Sequence, residues 1–134
     1  MRVEFGGSAS TDPCNLEDSR PANEAYGNKA VEMWFRGRDA VNSGQFKGID
    51  KETAEELTNR QFNDTGKKIQ LQSKTKDKSQ EQKSYKTMFG KSPDLADSLL
   101  ILVEVARRKG FRLAAMGQTI IRSQDWEREV EKVQ

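Results

Sequence analysis

Apolar residues recur with helical spacing in the first half of the chain. In residues 25–42 they fall on one face, at Tyr26, Ala30, Met33, Trp34 and Val41. Charged residues occupy the opposite face, at Lys29, Glu32, Arg36 and Asp39. This pattern predicts an amphipathic helix that stops near Gly44, with Tyr26, Met33 and Trp34 in the core.

Residues 93–109 carry the clearest helical pattern of the sequence. Ser92 is a favoured N-cap residue, and Pro93 suits the first helical position. Basic residues before Gly110 suit a helix C-terminus, where they complement the dipole. The apolar positions predicted to pack into the core are Leu95, Leu99, Leu102, Val103 and Ala106.

Shorter elements are predicted from alternation, capping and turn residues. They are a strand at 2–5, a helix at 51–60 capped by Asp50, a hairpin joining 60–63 to 68–72, and a helix near 79–88. Residues 6–24 are rich in Gly, Ser, Asp and Pro, which is typical of a loop. A final amphipathic helix is indicated by the spacing of Trp126, Val130 and Val133. The sequence thus predicts a mixed α/β chain, rich in helices, with a few short strands.

Composition narrows the chemistry available to the 134 residues. Hydrophobic residues make up 34% and charged residues 33%, which predicts a small core. No apolar run approaches the roughly 20 residues that span a bilayer, so no membrane partner is expected. The chain has no histidine and one cysteine, which excludes histidine-based catalysis and zinc held by histidine or by four thiolates. Any bound metal must use oxygen ligands, as Mg²⁺, Mn²⁺ or Ca²⁺ do.

Positive charge is concentrated in residues 67–91, which hold eight lysines and two acids. The whole chain has a net charge of only +2, so the remainder is acidic. A lysine-rich segment is either a solvated surface or a wall that neutralises DNA phosphates. The lysines expected to contact nucleic acid are Lys74, Lys76, Lys78 and Lys91.

Other candidate motifs carry both an ordinary and a functional interpretation. Asp94 and Asp97 lie on one side of the predicted 93–109 helix, where acids favour the dipole but where a carboxylate could also hold a divalent cation. The run 90–92 is similar to the end of a P-loop, but Tyr85 stands where that motif needs glycine. Cys14 lies in the predicted loop without a neighbouring base, which argues against a nucleophile.

The order of several segments resembles the C-terminal part of the nuclease domain of tailed-phage terminase large subunits. The segments are Phe5-Gly6-Gly7-Ser8-Ala9-Ser10, Tyr26-Gly27-Asn28-Lys29-Ala30, Glu32-Met33-Trp34-Phe35, Ile69-Gln70-Leu71-Gln72-Ser73-Lys74 and Gly90-Lys91-Ser92-Pro93-Asp94-Leu95-Ala96-Asp97-Ser98-Leu99. The resemblance covers roughly residues 3–105. It implies part of an RNase H-like fold at residues 1–110, followed by a tail at 111–134 with the short amphipathic helix.

The resemblance also implies a function and its residues. Family members cut DNA during genome packaging with two Mg²⁺ or Mn²⁺ ions held by several acids. Asp97 matches the metal-binding acid of the last helix, Asp94 is its nearby alternative, and Lys74 matches a lysine beside the site. The implied partners are double-stranded DNA, the rest of the large subunit, the small subunit and the portal, in the cytoplasm of a bacterial host carrying a phage or prophage.

This sequence departs from the family pattern in one large respect. The strands that carry the other metal-binding acids, and the ATPase domain, have no counterpart in it, and Glu4 matches neither missing acid. We therefore expect a terminal fragment that does not cleave DNA alone and has apolar surface available for self-association. The alternative interpretation is a non-catalytic module that binds DNA or protein and uses its basic surface.

Overall fold

The computed structural model describes residues 2–112, and its elements confirm the mixed helix and strand class. The helices are α1 (Ala22–Ala25), α2 (Lys29–Asn42), α3 (Lys51–Asn59), α4 (Tyr85–Phe89) and α5 (Asp94–Arg108). The strands β1 (Phe62–Asn63) and β2 (Gln70–Leu71) form a two-stranded antiparallel sheet. The core lies where α2 packs against α5, with α3 and the sheet beside it.

Helix α2 begins four residues later than predicted because Asn28 caps it. The Asn28 side chain accepts a hydrogen bond from the backbone N–H of Val31 at 3.0 Å, which satisfies a free donor of the first turn. The chain before the cap is extended, and Tyr26 forms a parallel bridge with Ile69. The predicted core positions Tyr26, Met33 and Trp34 are confirmed, each at most 7% exposed.

The predicted helix and hairpin of the middle segment are both confirmed. Asp50 caps α3 by accepting a hydrogen bond from the backbone N–H of Thr53 at 3.0 Å. In the hairpin, Phe62 pairs with Leu71 and Asn63 with Gln70. This register places the end of β2 close to the segment that leads to α4.

Helix α5 forms where predicted, but its N-terminus is capped by another helix. The Ser92 side chain does not cap it; instead the buried carboxylate of Glu56 accepts the backbone N–H groups of Leu95 and Ala96, at 3.0 and 3.1 Å. A carboxylate satisfies these two donors and opposes the positive end of the dipole. The contact therefore ties α3 to the start of α5.

The buried face of α5 differs in part from the prediction. Leu99 and Val103 are buried, whereas Leu95 and Leu102 are 38% and 52% exposed. The helix instead buries Leu100, which reaches the backbone of α2 where Gly37 has no side chain. Apolar residues occupy more of the α5 circumference than one partner can cover, so the periodicity alone identified Leu99 and Val103 correctly but misplaced Leu95 and Leu102.

Three predictions near the chain ends and in the basic segment need correction. Residues 2–5 form no strand among the described residues, although Val3 and Phe5 pack against the core. The predicted loop 6–24 contains a bridge between Pro13 and Pro21 and most of the single-turn helix α1, and it buries Cys14. The predicted helix near 79–88 is the shorter α4, capped by Ser84. The predicted helix near 126–133, and all of the predicted tail except residues 111 and 112, lie outside the described residues.

Across residues 2–112, no helix combines the length and apolar character that crossing a bilayer requires.

Candidate functional site

Lys74 and Asp97, 23 residues apart in the sequence, are in direct contact. The Lys74 ammonium lies 2.5 Å from Oδ2 of Asp97, and both side chains are mostly buried. The same ammonium lies 4.3 Å from the centre of the Phe5 ring, in cation–π geometry. A lysine held between a carboxylate and an aromatic face has a fixed position, unlike a lysine on an open surface.

Backbone hydrogen bonds hold the segment that carries Lys74. Ser73 and Lys74 follow β2, and their carbonyl oxygens accept the backbone N–H groups of Tyr85 and Lys86, at 2.8 and 2.9 Å. The first turn of α4 thus fixes the chain after β2. Asp97 lies in the first turn of α5, which Glu56 anchors. Both halves of the pair are therefore positioned by ordered backbone.

A second cation lies in the electrostatic neighbourhood of Asp97. Arg60 is mostly buried, and its guanidinium donates from Nε and Nη2 to the carbonyl oxygen of Gln72, at 3.1 and 2.9 Å. Burial lowers the pKa of Arg60, and the negative charge of Asp97 acts in the opposite direction. The other carboxylate oxygen of Asp97, Oδ1, is buried and accepts no hydrogen bond from the described residues.

The arrangement around Asp97 does not fit a resident Mg²⁺ or Mn²⁺ ion by itself. Within residues 2–112 no three acidic or thiol side chains come together in a way that could hold a metal. Asp94, the alternative ligand, points into solvent as an exposed residue. Oδ2 of Asp97 is engaged by an ammonium, where a hard cation would need several oxygen ligands.

The predicted DNA-contacting lysines divide into paired and unpaired groups. Lys91 lies 3.1 Å from Glu52 and 3.5 Å from Glu56, so its charge is already balanced. Lys76 and Lys78 are exposed and form no ion pair with the described residues. An open cleft of about 650 Å³ lies between the hairpin and this segment, and Phe62 and Lys78 contribute to its wall.

The most extensive charged cluster of the structure was missed from sequence. The charged face of α2 is buried: Glu32 is fully inaccessible, and Lys29 and Arg36 are at most 7% exposed. Glu32 accepts hydrogen bonds from the backbone N–H and hydroxyl of Ser10, at 2.7 and 2.8 Å, and from Arg36 Nε at 2.9 Å. The spacing of Glu32 and Arg36, four residues apart, was the available signal, but it is equally common on exposed helices.

Helix α5 completes this cluster with a second buried carboxylate. Glu104 lies 2.5 Å from the Lys29 ammonium and accepts a hydrogen bond from Arg107 Nε at 2.6 Å. Burial opposes its ionisation, but Arg107 and Lys29 outweigh that effect and lower the pKa of Glu104 to about 2. We call Lys29, Glu32, Arg36, Glu104 and Arg107 the buried ion cluster.

Arg36 also anchors the N-terminal loop to α2. Its two terminal nitrogens donate to the carbonyl oxygens of Cys14 and Pro13, both at 3.0 Å. Together with the bond from Nε to Glu32, these bonds give each guanidinium nitrogen one acceptor. Each charged group of the cluster lies beside a group of opposite charge, and the cluster forms a structural junction between the loop, α2 and α5.

No protein-family model, curated protein or solved structure matches the chain.

Proposed function

We propose that this chain is the C-terminal part of an RNase H-like nuclease domain of a phage or prophage terminase large subunit. The observation that carries the proposal is the Lys74–Asp97 contact. The resemblance selects these two residues from separate segments, as a lysine beside the site and a metal-binding acid. Their 2.5 Å contact supports a common role for them.

In this proposal the chain contributes one lysine and one carboxylate to a nuclease site. Lys74 holds the Asp97 carboxylate in one orientation, and the Phe5 ring lies against the ammonium. Mg²⁺ or Mn²⁺ would supply the charge that activates water in the assembled domain. The described residues bring one carboxylate to this site, so further acids must come from the rest of the large subunit. The small subunit, the portal and double-stranded DNA are the remaining partners, in the host cytoplasm.

A nicking assay on supercoiled plasmid tests this proposal. We expect no cleavage by the chain alone with Mg²⁺ or Mn²⁺, because two divalent ions about 4 Å apart need several carboxylates around them. The proposal requires that a P-loop ATPase segment and acidic strands are encoded beside this chain. Adding that polypeptide should produce Mn²⁺-dependent nicking.

Substitutions of Asp97 and Asp94 test whether Asp97 belongs to the nuclease site. Asp97→Asn should abolish the reconstituted nicking, because it removes a ligand charge at unchanged size, whereas Asp94→Asn should reduce it less. Circular dichroism would confirm that both variants fold. Cleavage by the chain alone that survives Asp97→Asn would overturn the assignment.

A second candidate function is non-catalytic DNA binding, favoured by the exposed lysines without acidic partners. We infer that Lys76 and Lys78 contact phosphates without reading sequence, since exposed lysines neutralise charge rather than recognise bases. Affinity for duplex DNA should fall steeply between about 50 and 200 mM salt. Replacing Lys76 and Lys78 by alanine should weaken binding equally for unrelated sequences, whereas Lys91→Ala, which removes a paired lysine, should weaken it less.

The presence of metal separates the two candidates. Simple phosphate neutralisation predicts that Mn²⁺ does not strengthen DNA binding relative to EDTA at matched ionic strength, because Mn²⁺ competes for the phosphates. If the chain is part of a nuclease site, Mn²⁺ should raise the affinity for DNA once the partner polypeptide is added. Salt-independent binding would contradict the electrostatic account of the lysine surface.

A further inference from the structure

The solvent face of α5 combines an apolar stripe with a charge of opposite sign at each end. Leu95, Ile101 and Leu102 are 38%, 37% and 52% exposed, and Val105 is half-buried beside them. Asp94 begins the stripe and Lys109 follows its end. Both are exposed, and neither forms an ion pair with any residue in 2–112. We call this surface the α5 outer face.

These residues share one side of the helix by its geometry. At 3.6 residues per turn, positions 94, 98, 101, 102, 105 and 109 lie within about one third of the circumference. The opposite side carries the buried residues Ala96, Leu100 and Val103. The α5 outer face is therefore continuous, and it extends over roughly 22 Å of a 15-residue helix.

We propose that the α5 outer face binds the same face of a second copy of this chain, with the two helices antiparallel. The midpoint between Asp94 and Lys109 falls between Ile101 and Leu102. A two-fold axis through that point brings Asp94 of each copy opposite Lys109 of the other. The same axis places Ile101 of each copy against Leu102 of the other, and Ser98 opposite Val105.

Charge selects this arrangement over its alternatives. Parallel helices would set Asp94 beside Asp94 and Lys109 beside Lys109, and like charges at these separations repel. A two-fold contact is also self-complementary, as an isologous interface requires. An acidic end and an apolar centre do not suit a phosphate backbone, so this face is distinct from the lysine surface.

The apolar area involved is small, which sets the expected strength. Three partly exposed side chains per copy form an interface at the low end of the size range, so association should be weak and concentration-dependent. We expect sedimentation of the full chain to shift from monomer towards dimer as the concentration rises through the upper micromolar range. Salt should weaken the dimer because its end pairs are exposed.

Charge exchange gives the sharpest test of the pairing. Asp94→Lys and Lys109→Asp should each weaken dimerisation roughly five- to tenfold, because each places like charges together at both ends. The double variant should recover the original dissociation constant to within about twofold. Leu102→Ser should abolish the dimer, whereas Met88→Ser, which alters a similarly exposed side chain on α4, should leave it unchanged.

Disulfide trapping tests independently whether the two α5 helices of the dimer are antiparallel. The native Cys14 is buried, so an introduced cysteine provides the accessible thiol among the described residues. Mixing Ser98→Cys with Val105→Cys chains should give a crosslinked heterodimer, and Ser98→Cys alone should give little crosslinking. A monomer at all concentrations, failure of the charge exchange to restore association, or dominant self-crosslinking of Ser98→Cys would overturn the proposal.

Discussion

Replacing Glu104 by glutamine tests whether the buried ion cluster holds α2 and α5 together. The substitution keeps the size of the side chain but removes a charge that faces the Lys29 ammonium at 2.5 Å and the Arg107 guanidinium at 2.6 Å. Both cations then lose a partner inside the protein. Removing one member of a buried ion pair generally costs about 3–5 kcal/mol.

The pKa of Glu104 gives a second measure of the same interaction. Despite burial, Arg107 and Lys29 lower it from an ordinary 4.5 to about 2, which corresponds to roughly 3 kcal/mol in favour of the ionised form. A domain of this size has about 5–15 kcal/mol of total stability. Glu104→Gln should therefore remove a large part of the free energy of unfolding at pH 7.

Urea denaturation followed by far-UV circular dichroism measures this cost at several pH values. Because the folded pKa is depressed, the contribution of Glu104 is complete above about pH 4.5 and disappears as the pH falls through about 2. The difference between wild type and variant should shrink in the same range. Glu55→Gln, which alters an exposed carboxylate 3.8 Å from Lys51, is the control and should cost at most about 0.5 kcal/mol.

A double-mutant cycle with Lys29→Met isolates the pair. If the ammonium and the carboxylate interact directly, the double variant should be more stable than the sum of the single losses predicts, by at least about 1 kcal/mol. A Glu104→Gln cost below 1 kcal/mol, or one that persists unchanged at pH 2, would refute the reasoning.

Three further substitutions have expected outcomes. Burial raises the pKa of Asp39 from 3.8 to about 6, so stability falls as the pH rises between these two values and the loss is complete above about 6. Asp39→Asn should therefore raise the free energy of unfolding by about 2 kcal/mol at pH 8 and change it little near pH 4, in urea melts at both pH values. Gly37→Ala should cost about 1–3 kcal/mol in thermal melts, because the new methyl group meets Leu100. Gly37→Ala should cost less in a chain that also carries Leu100→Ala, because the side chain it meets is then shorter. Asp50→Ala should cost about 1 kcal/mol by removing the α3 cap, whereas Asp50→Asn should cost much less.

Local signals were sufficient to place α2, α3, α5 and the hairpin to within a few residues, whereas α1 was not predicted and α4 is shorter than predicted. Asp50 and the turn between the strands act over a few residues, so their effect is visible in the sequence alone. The opening segment 2–5 alternates as a strand does, but a strand needs a partner, and Val3 and Phe5 pack against the core cluster instead. Alternation reports which side chains are buried, not what covers them.

Long-range pairing explains what the sequence did not predict. Glu32 and Lys29 have the composition of a solvated helix face, and they are buried because α5 brings Glu104 and Arg107 to them. The α5 cap was likewise misassigned, since Glu56 comes from a different helix. In the candidate site, Lys74 and Asp97 were named through the resemblance, while the Phe5 and Arg60 neighbours depend on packing that no local pattern encodes.

The junction between α2 and α5 also constrains when the protein can fold. The two helices are separated by all of α3, the hairpin and α4, so their contact closes a long loop, and such non-local contacts slow folding. During synthesis from the N-terminus, Glu32 and Arg36 emerge well before Glu104 and Arg107. Until α5 leaves the ribosome, the charged face of α2 must stay hydrated. We therefore expect the core between α2 and α5 to close only after α5 has emerged.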